Sequence, residues 1–287
     1  MFATFNRSLN IAKTTFSVMK QDPEMVGFAL LGAISSVLFM AALLVPTIIL
    51  QFVGATTSEV AFGVIQYLAL FFVYFGLAFI ATFFNTCVVY TAKVRFEGGD
   101  ATFGQSLKFA FTRLPQIAAW SAVAASVGLF LKMLDNAARR NGGVVGMILR
   151  GLLSVMGFAW SVMTLFVVPA MVYDGVGPIE AIKRSSKTLK QTWGESLARH
   201  FGFGLLQFLV SLPGWLGFFV AFALAGTSVG LGLTVGCLCV AYLIVVTLVF
   251  QVANSVFNTA LFHYARSGQP AGSYDARMLQ SAIGVAA

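Results

Sequence analysis

Apolar residues in this chain fall into six long blocks, roughly Val26–Val53, Val60–Thr91, Pro115–Leu131, Val144–Tyr173, Phe201–Gly226 and Val229–Tyr264, separated by polar stretches. All but the third exceed the ~20 residues that cross a ~30 Å hydrocarbon layer. The third is short and rich in Ala and Ser; it reaches that length by running through Lys132 to Leu134, with Lys132 snorkelling to the headgroups. Backbone N–H and C=O groups in lipid must be satisfied within their own segment, so each block predicts a helix. Strand-like alternation is absent, which excludes an outer-membrane barrel. The expected fold is therefore all-α, a polytopic membrane protein with six transmembrane helices and a single membrane domain over residues 1–287.

A second rhythm lies between the blocks. Phe2, Phe5, Leu9, Ala12, Phe16 and Met19 recur at spacings of three and four, with Asn6, Arg7, Asn10, Lys13, Ser17 and Lys20 largely on the other side. Asp22-Pro23 then breaks that helix before the first block. Phe103, Leu107, Ala110, Leu114 and Ile117 repeat the pattern, flanked by Lys108 and Arg113, and Ile179, Ile182, Leu189, Trp193 and Leu197 repeat it again. Such segments predict helices lying in the headgroup plane. Arg7-Ser8, Lys13, Thr15 and Phe16 align with Arg184-Ser185, Lys190, Thr192 and Trp193; Ser106-Leu107-x-x-Ala110 aligns with Ser8-Leu9-x-x-Ala12. The unit is then one cytoplasmic interfacial amphipathic helix followed by one transmembrane hairpin. It is used three times, over approximately 1–100, 101–174 and 175–287, as in parallel-repeat transporters.

Composition agrees with lipid as the solvent. Of the 287 residues 59% are hydrophobic and 10% charged, against about a quarter charged in soluble domains. The net charge of +8 does not indicate nucleic acid here, because the basic residues flank apolar spans rather than line a soluble face. Their distribution sets orientation. With the amino terminus inside, fourteen Lys and Arg are cytoplasmic: Arg7, Lys13 and Lys20; Lys93, Arg95, Lys108 and Arg113; Lys183, Arg184, Lys187, Lys190 and Arg199; Arg266 and Arg277. Only Lys132, Arg139, Arg140 and Arg150 remain outside. The positive-inside rule then places both termini in the cytoplasm, across the cell's inner (plasma) membrane. Treating the third span as re-entrant narrows this asymmetry, so the six-helix arrangement is preferred. The first block is too long for the apolar core of a cleaved signal and reads as an uncleaved anchor.

The chemistry of an enzyme is missing from the pattern. Asp and Glu are confined to loops and span ends, and no H-E-x-x-H, Walker loop or Ser–His pairing is present. Cys87, Cys237 and Cys239 sit singly in apolar spans, and His200 and His263 lie far apart. No catalytic residue, metal or cofactor is expected. Gln251, Asn254 and Asn258 fall within about 60° of one face of the last helix, with Asn85 of the second span as a candidate partner. They form either a polar path opening to the cytoplasm or, as we prefer, interhelical hydrogen bonds. Ser228, Gly232 and Gly236 form a small-xxx-small stripe that serves close helix packing within the bundle or a homo-oligomer. Arg7, Lys13, Lys108, Arg113, Arg184, Lys187 and Lys190 are candidate contacts to anionic lipid headgroups.

The run Pro169 … Asp174-Gly175-Val176-Gly177-Pro178-Ile179-Glu180-Ala181-Ile182-Lys183-Arg184-Ser185 … Thr192-Trp193-Gly194-Glu195 resembles the cytoplasmic loop of a prokaryotic family of six-helix membrane proteins, an uncharacterised domain of unknown function. Phe5-Asn6-Arg7-Ser8 and Phe262-His263-Tyr264-Ala265-Arg266-Ser267-Gly268 are similar to that family's ends, and the resemblance spans essentially the whole chain. A more distant similarity, a shared Gly…Ala…Ser loop pattern, is to the membrane domain preceding some glycerophosphodiester phosphodiesterases; the catalytic domain found there has no counterpart in these residues. The resemblance implies the six-helix fold and no activity. The expected function is a non-enzymatic membrane scaffold or accessory protein that meets a protein partner at the cytoplasmic face. The alternative is a transporter or lipid-handling protein.

Overall fold

The computed structural model describes residues 2–52, 59–140, 143–193, 202–275 and 279. Among these there is no strand. Ten helices follow one another: α1 (Phe2–Gln21), α2 (Glu24–Phe52), α3 (Glu59–Phe96), α4 (Phe103–Thr112), α5 (Leu114–Arg140), α6 (Gly143–Met163), α7 (Val167–Asp174), α8 (Pro178–Trp193), α9 (Gly202–Ala225) and α10 (Val229–Ser267). Six segments are long and apolar enough to cross a membrane: Glu24–Leu44, Tyr67–Phe96, Leu114–Arg140, Gly143–Asp174, Gly204–Ala225 and Val229–Ser267. The chain is a multi-pass membrane protein. The weakest block of the sequence is a continuous helix that runs through Lys132 to Arg140, 27 residues long, or about 40 Å at 1.5 Å per residue.

The helices begin and end where local chemistry sets them. At the start of α4 the Thr102 hydroxyl accepts from the Gln105 N–H, and the Thr102 N–H donates to the Gln105 side chain, a reciprocal capping box that satisfies two orphan donors. Ser228 caps α10 through Leu231 N–H. The ends of α7 and α10 are closed by Gly175 and Gly268 in left-handed conformation. Asp22-Pro23 divides α1 from α2, as its sequence predicts.

The long fourth block is not one helix. Between α6 and α7 the chain turns at Thr164–Phe166, one residue before the proline's own turn of helix. Pro169 has no N–H to offer the Leu165 carbonyl four residues back, so the regular ladder cannot continue there. Ser185 of α8 repairs the gap. Its hydroxyl donates to the Met163 carbonyl at 2.6 Å and accepts from the Phe166 N–H at 3.1 Å, and it is fully buried.

The contacts divide the chain into two compact units. The first comprises Met1–Ala29, Thr91–Asp100 and Lys190–Ala287. In it α9 and α10 pack along their lengths, and α1 packs on both. The α9–α10 seam consists of small residues in antiparallel register. A Cβ at Gly214 would strike Leu243 and Tyr242, one at Gly217 would strike Cys239 Sγ, and one at Gly232 would lie 2.6 Å from Ala225 Cβ. Gly236 faces Ala221 across the same seam. The exposed side chains of α10 run from Val229 through Leu231, Leu233, Leu238 and Val240 to Ile244 and Val245. From Val246 onward its apolar side chains Phe250, Val252, Ala253, Val256, Phe257, Ala260, Leu261 and Phe262 are buried. One end of α10 is thus coated with apolar side chains that have no protein cover, as lipid solvation requires. Its other end is built into a packed core. Phe16 sits edge-on to Phe250 there, and Tyr274 packs on Phe96 and Phe257.

The second unit comprises Leu30–Tyr90 and Ala101–Leu189. Phe39 of α2 presses on Gly76 of α3, and Phe84 lies against Gly32, so these helices also run antiparallel. α5 packs on α6, with Trp120 and Trp160 stacked at 6.0 Å. The same split between exposed and buried recurs: most large apolar side chains of α6 between Val144 and Met163 are exposed, whereas Val167, Ala170, Met171, Val172 and Tyr173 of α7 are buried.

Candidate functional site

Polar chemistry in each unit collects where the helices leave their exposed apolar stretch. In the first unit the centre is Asp22, almost wholly buried with a side chain 1% exposed. Arg95 reaches it from the end of α3 with both prongs, Nε to Oδ2 at 2.8 Å and Nη2 to Oδ1 at 2.5 Å. Nη2 also meets Asp100 at 2.8 Å. Asp22, Glu24 and Asp100 bring carboxylate oxygens within 4.8 Å of one another, a spacing that could hold a cation; Arg95 already supplies a positive charge there. The sequence marks Asp22 only as a helix breaker. Its pairing joins residues 73 apart, and no local pattern records that.

Beside it, the Tyr274 hydroxyl shares a 2.8 Å hydrogen bond with Thr15. Burial pushes the phenol of Tyr274 up beyond its ordinary range, an effect only partly opposed by the Thr15 bond. Neither residue carries a recognisable motif. The nearest signal is the Gly272 turn, whose Cα lies against Phe96.

Gln251, Asn254 and Asn258 also belong to the first unit. Gln251 is exposed, Asn254 and Asn258 are half-buried, and none has a hydrogen-bond partner among the described residues. Gln251 stands about 33 Å along α10 from Val229, just past the last exposed apolar side chain. The polar face therefore begins where the apolar coat stops, rather than midway through it. Asn85 lies half-buried on α3 in the second unit and is engaged in an interaction of its own.

In the second unit the basic residues sort into two kinds. On α8 the buried positions are Ala181, Ser185 and Leu189, four residues apart, while Lys183 and Lys187 are exposed. On α4 Ser106 and Ala110 are buried and Lys108 is exposed. In the first unit α1 buries Ala12, Thr15, Val18 and Met19 and leaves Lys13 exposed, and Lys190 is exposed as well. None of these five lysines forms an ion pair among the described residues. The Arg7 side chain lies outside the described residues.

The two arginines behave differently. Arg184 Nη1 binds Asp174 at 2.6 Å and its Nε reaches Glu180 at 3.4 Å. The hydrogen bond it donates to the Asp174 carboxylate holds the guanidinium above its ordinary range. Arg113 pairs with no carboxylate among the described residues. Its guanidinium lies 5.2 Å over the Phe109 ring, and Phe109 in turn stacks on Tyr90 at 4.2 Å. The guanidinium edge is set against Gly175, where a Cβ would come within 2.9 Å of Nη1. Gly175 is needed on two counts: φ is +65°, which disfavours any side chain, and the arginine occupies the space a side chain would take. The Asp-Gly at the end of α7 was the available signal for this corner.

Of the small-residue stripe, Gly232 and Gly236 face α9 of the same chain, and Ser228 serves as the helix cap. In the second unit, Asp135 pairs with Arg139 at 2.9 Å in the last turns of α5.

Residues 64–272, more than two thirds of the chain, are matched by the model of a family described as a family of unknown function, DUF6159. A search of curated proteins finds none that matches the chain.

Proposed function

We propose, from the premise that the chain belongs to the DUF6159 family, that it is a non-enzymatic membrane scaffold or accessory protein. In this reading its six helices form three hairpins in the inner (plasma) membrane with both termini cytoplasmic. Each hairpin follows an interfacial amphipathic helix: α1, α4 or α8. The antiparallel contacts of α2 with α3, α5 with α6 and α9 with α10 support the hairpins. The burial of aligned positions supports the repeat: Ala12, Ala110 and Leu189 on the three short helices, with Ser106 and Ser185 one turn earlier on the last two.

The observation that carries the function is the outward set of lysines. Lys13, Lys108, Lys183, Lys187 and Lys190 point away from the buried faces of their helices and form no ion pair among the described residues. Free cations at the membrane surface attract anionic headgroups or an acidic protein surface. Charge reversal of Lys183, Lys187 and Lys190 to Glu is the test, with Arg184 left intact because it holds Asp174. The triple variant should melt like the wild type yet lose co-purifying protein and anionic lipid. Undiminished recovery of both would sink the reading.

The unpartnered face of Gln251, Asn254 and Asn258 favours a second reading, a transporter or lipid-handling protein with a polar site open to the cytoplasm. Asn254→Leu with Asn258→Leu separates the two: only in the second reading does it abolish movement of a solute or lipid while sparing partner recovery.

A further inference from the structure

Arg113, unlike Arg184, is held in place with no counter-charge among the described residues. Its Nε is buried with no hydrogen-bond partner. No ion pair reaches the guanidinium among the described residues, and the nearest carboxylate in sequence to its Gly175 neighbour, Asp174, is taken by Arg184 at 2.6 Å. Leaving that Nε donor unpaired is costly, since it has given up water without a replacement. The cation is also not free to swing out. The Tyr90–Phe109–Arg113 stack fixes its plane and Gly175 fixes its edge.

Its place along the chain says what the replacement is. Arg113 directly precedes α5, the 27-residue span beginning at Leu114. That helix exceeds a ~30 Å hydrocarbon layer by several residues, so its first turn falls at the level of the lipid phosphates. On the same side, α4 exposes Phe103 and Phe111, the latter 53% exposed, together with Lys108. Exposed apolar rings on the short helix that leads into a fixed fork of N–H donors match a phospholipid, with acyl chain against the one and phosphate oxygens on the other.

We propose that Arg113 is the centre of a binding site for the phosphate of an anionic phospholipid, framed by Phe109 and Gly175. The site rests on the reading of α4 as an interfacial helix. Delipidated full-length protein in neutral detergent is titrated with phosphatidylglycerol, phosphatidylcholine and inorganic phosphate, and bound lipid is counted by native mass spectrometry. Arg113→Gln should weaken phosphatidylglycerol binding about ten-fold or more, the loss expected for a charge-assisted hydrogen bond. Arg113→Lys keeps the charge without the planar fork and should fall between the two; it carries the test should Arg113→Gln fail to fold. Lys108→Gln should change affinity less than about five-fold, as for an exposed charge. Equal affinity in wild type and both Arg113 variants overturns the site. Displacement of the lipid by an equal concentration of inorganic phosphate overturns the lipid as its ligand. Brominated-lipid quenching of a Phe111→Trp variant separates this from the underlying reading. Quenching with unchanged Arg113-variant affinity removes the site alone; absence of quenching removes the interfacial placement of α4 and the site with it.

Discussion

Two buried hydroxyls show how single residues settle the polar accounts of this chain. Ser185 satisfies one carbonyl and one N–H at the α6–α7 break, so Ser185→Ala leaves both unmet at about 1–3 kcal/mol each. We expect a clear drop in melting temperature in detergent, whereas Ser186→Ala, next to it, should change little. Tyr274 is kept neutral by burial. A group whose folded pKa is raised gives stability that is complete below its unfolded pKa of about 10 and declines as pH climbs beyond it. The wild type should therefore lose stability at alkaline pH more steeply than Tyr274→Phe, read as the difference between their melting curves above that pH.

At the scale of elements, apolar periodicity made the helices legible because lipid and backbone bonding leave no other option for a block of twenty apolar residues. It overran at Pro169, where the apolar block continues but the hydrogen-bond ladder does not. Composition cannot report which remote serine closes that gap. The stripe of Gly232 and Gly236 was legible as a packing surface, and its partner was not; the answer depends on Gly214, Gly217, Ala221 and Ala225, which sit inside a featureless apolar run. Because the seam lies within one chain, Gly232→Leu should destabilise the protein by about 1–3 kcal/mol through overpacking. Its oligomeric state, measured by light scattering in detergent, should not change.

For the whole molecule, the sequence outlined a multi-pass membrane protein, and the structure adds a packed polar core within each of its two units. The Asp22–Arg95–Asp100 group and the Arg113 corner escape sequence reading because each brings together residues separated by a transmembrane helix or more. Orientation is a separate matter that charge distribution alone predicts. Lys13→Cys, Lys108→Cys and Lys187→Cys should react with a membrane-impermeant thiol reagent in inside-out vesicles and resist it in intact cells; Arg139→Cys should show the reverse. A reagent reaching all four from one side would refute the assigned topology.

The serine that bridges the α6–α7 break also imposes an order on biosynthesis. When Pro169 leaves the ribosome, Ser185 is still inside the exit tunnel, so the Met163 carbonyl and Phe166 N–H arrive at the membrane without the hydroxyl that will bind them. Until α8 emerges and docks, the fourth span is an incomplete passenger of the insertion machinery, with polar backbone in need of water or a temporary host. Its residence there lasts at least as long as those intervening residues take to emerge, and an arrest that stops synthesis with Pro169 outside the exit tunnel and Ser185 still within it would hold the nascent chain in that state.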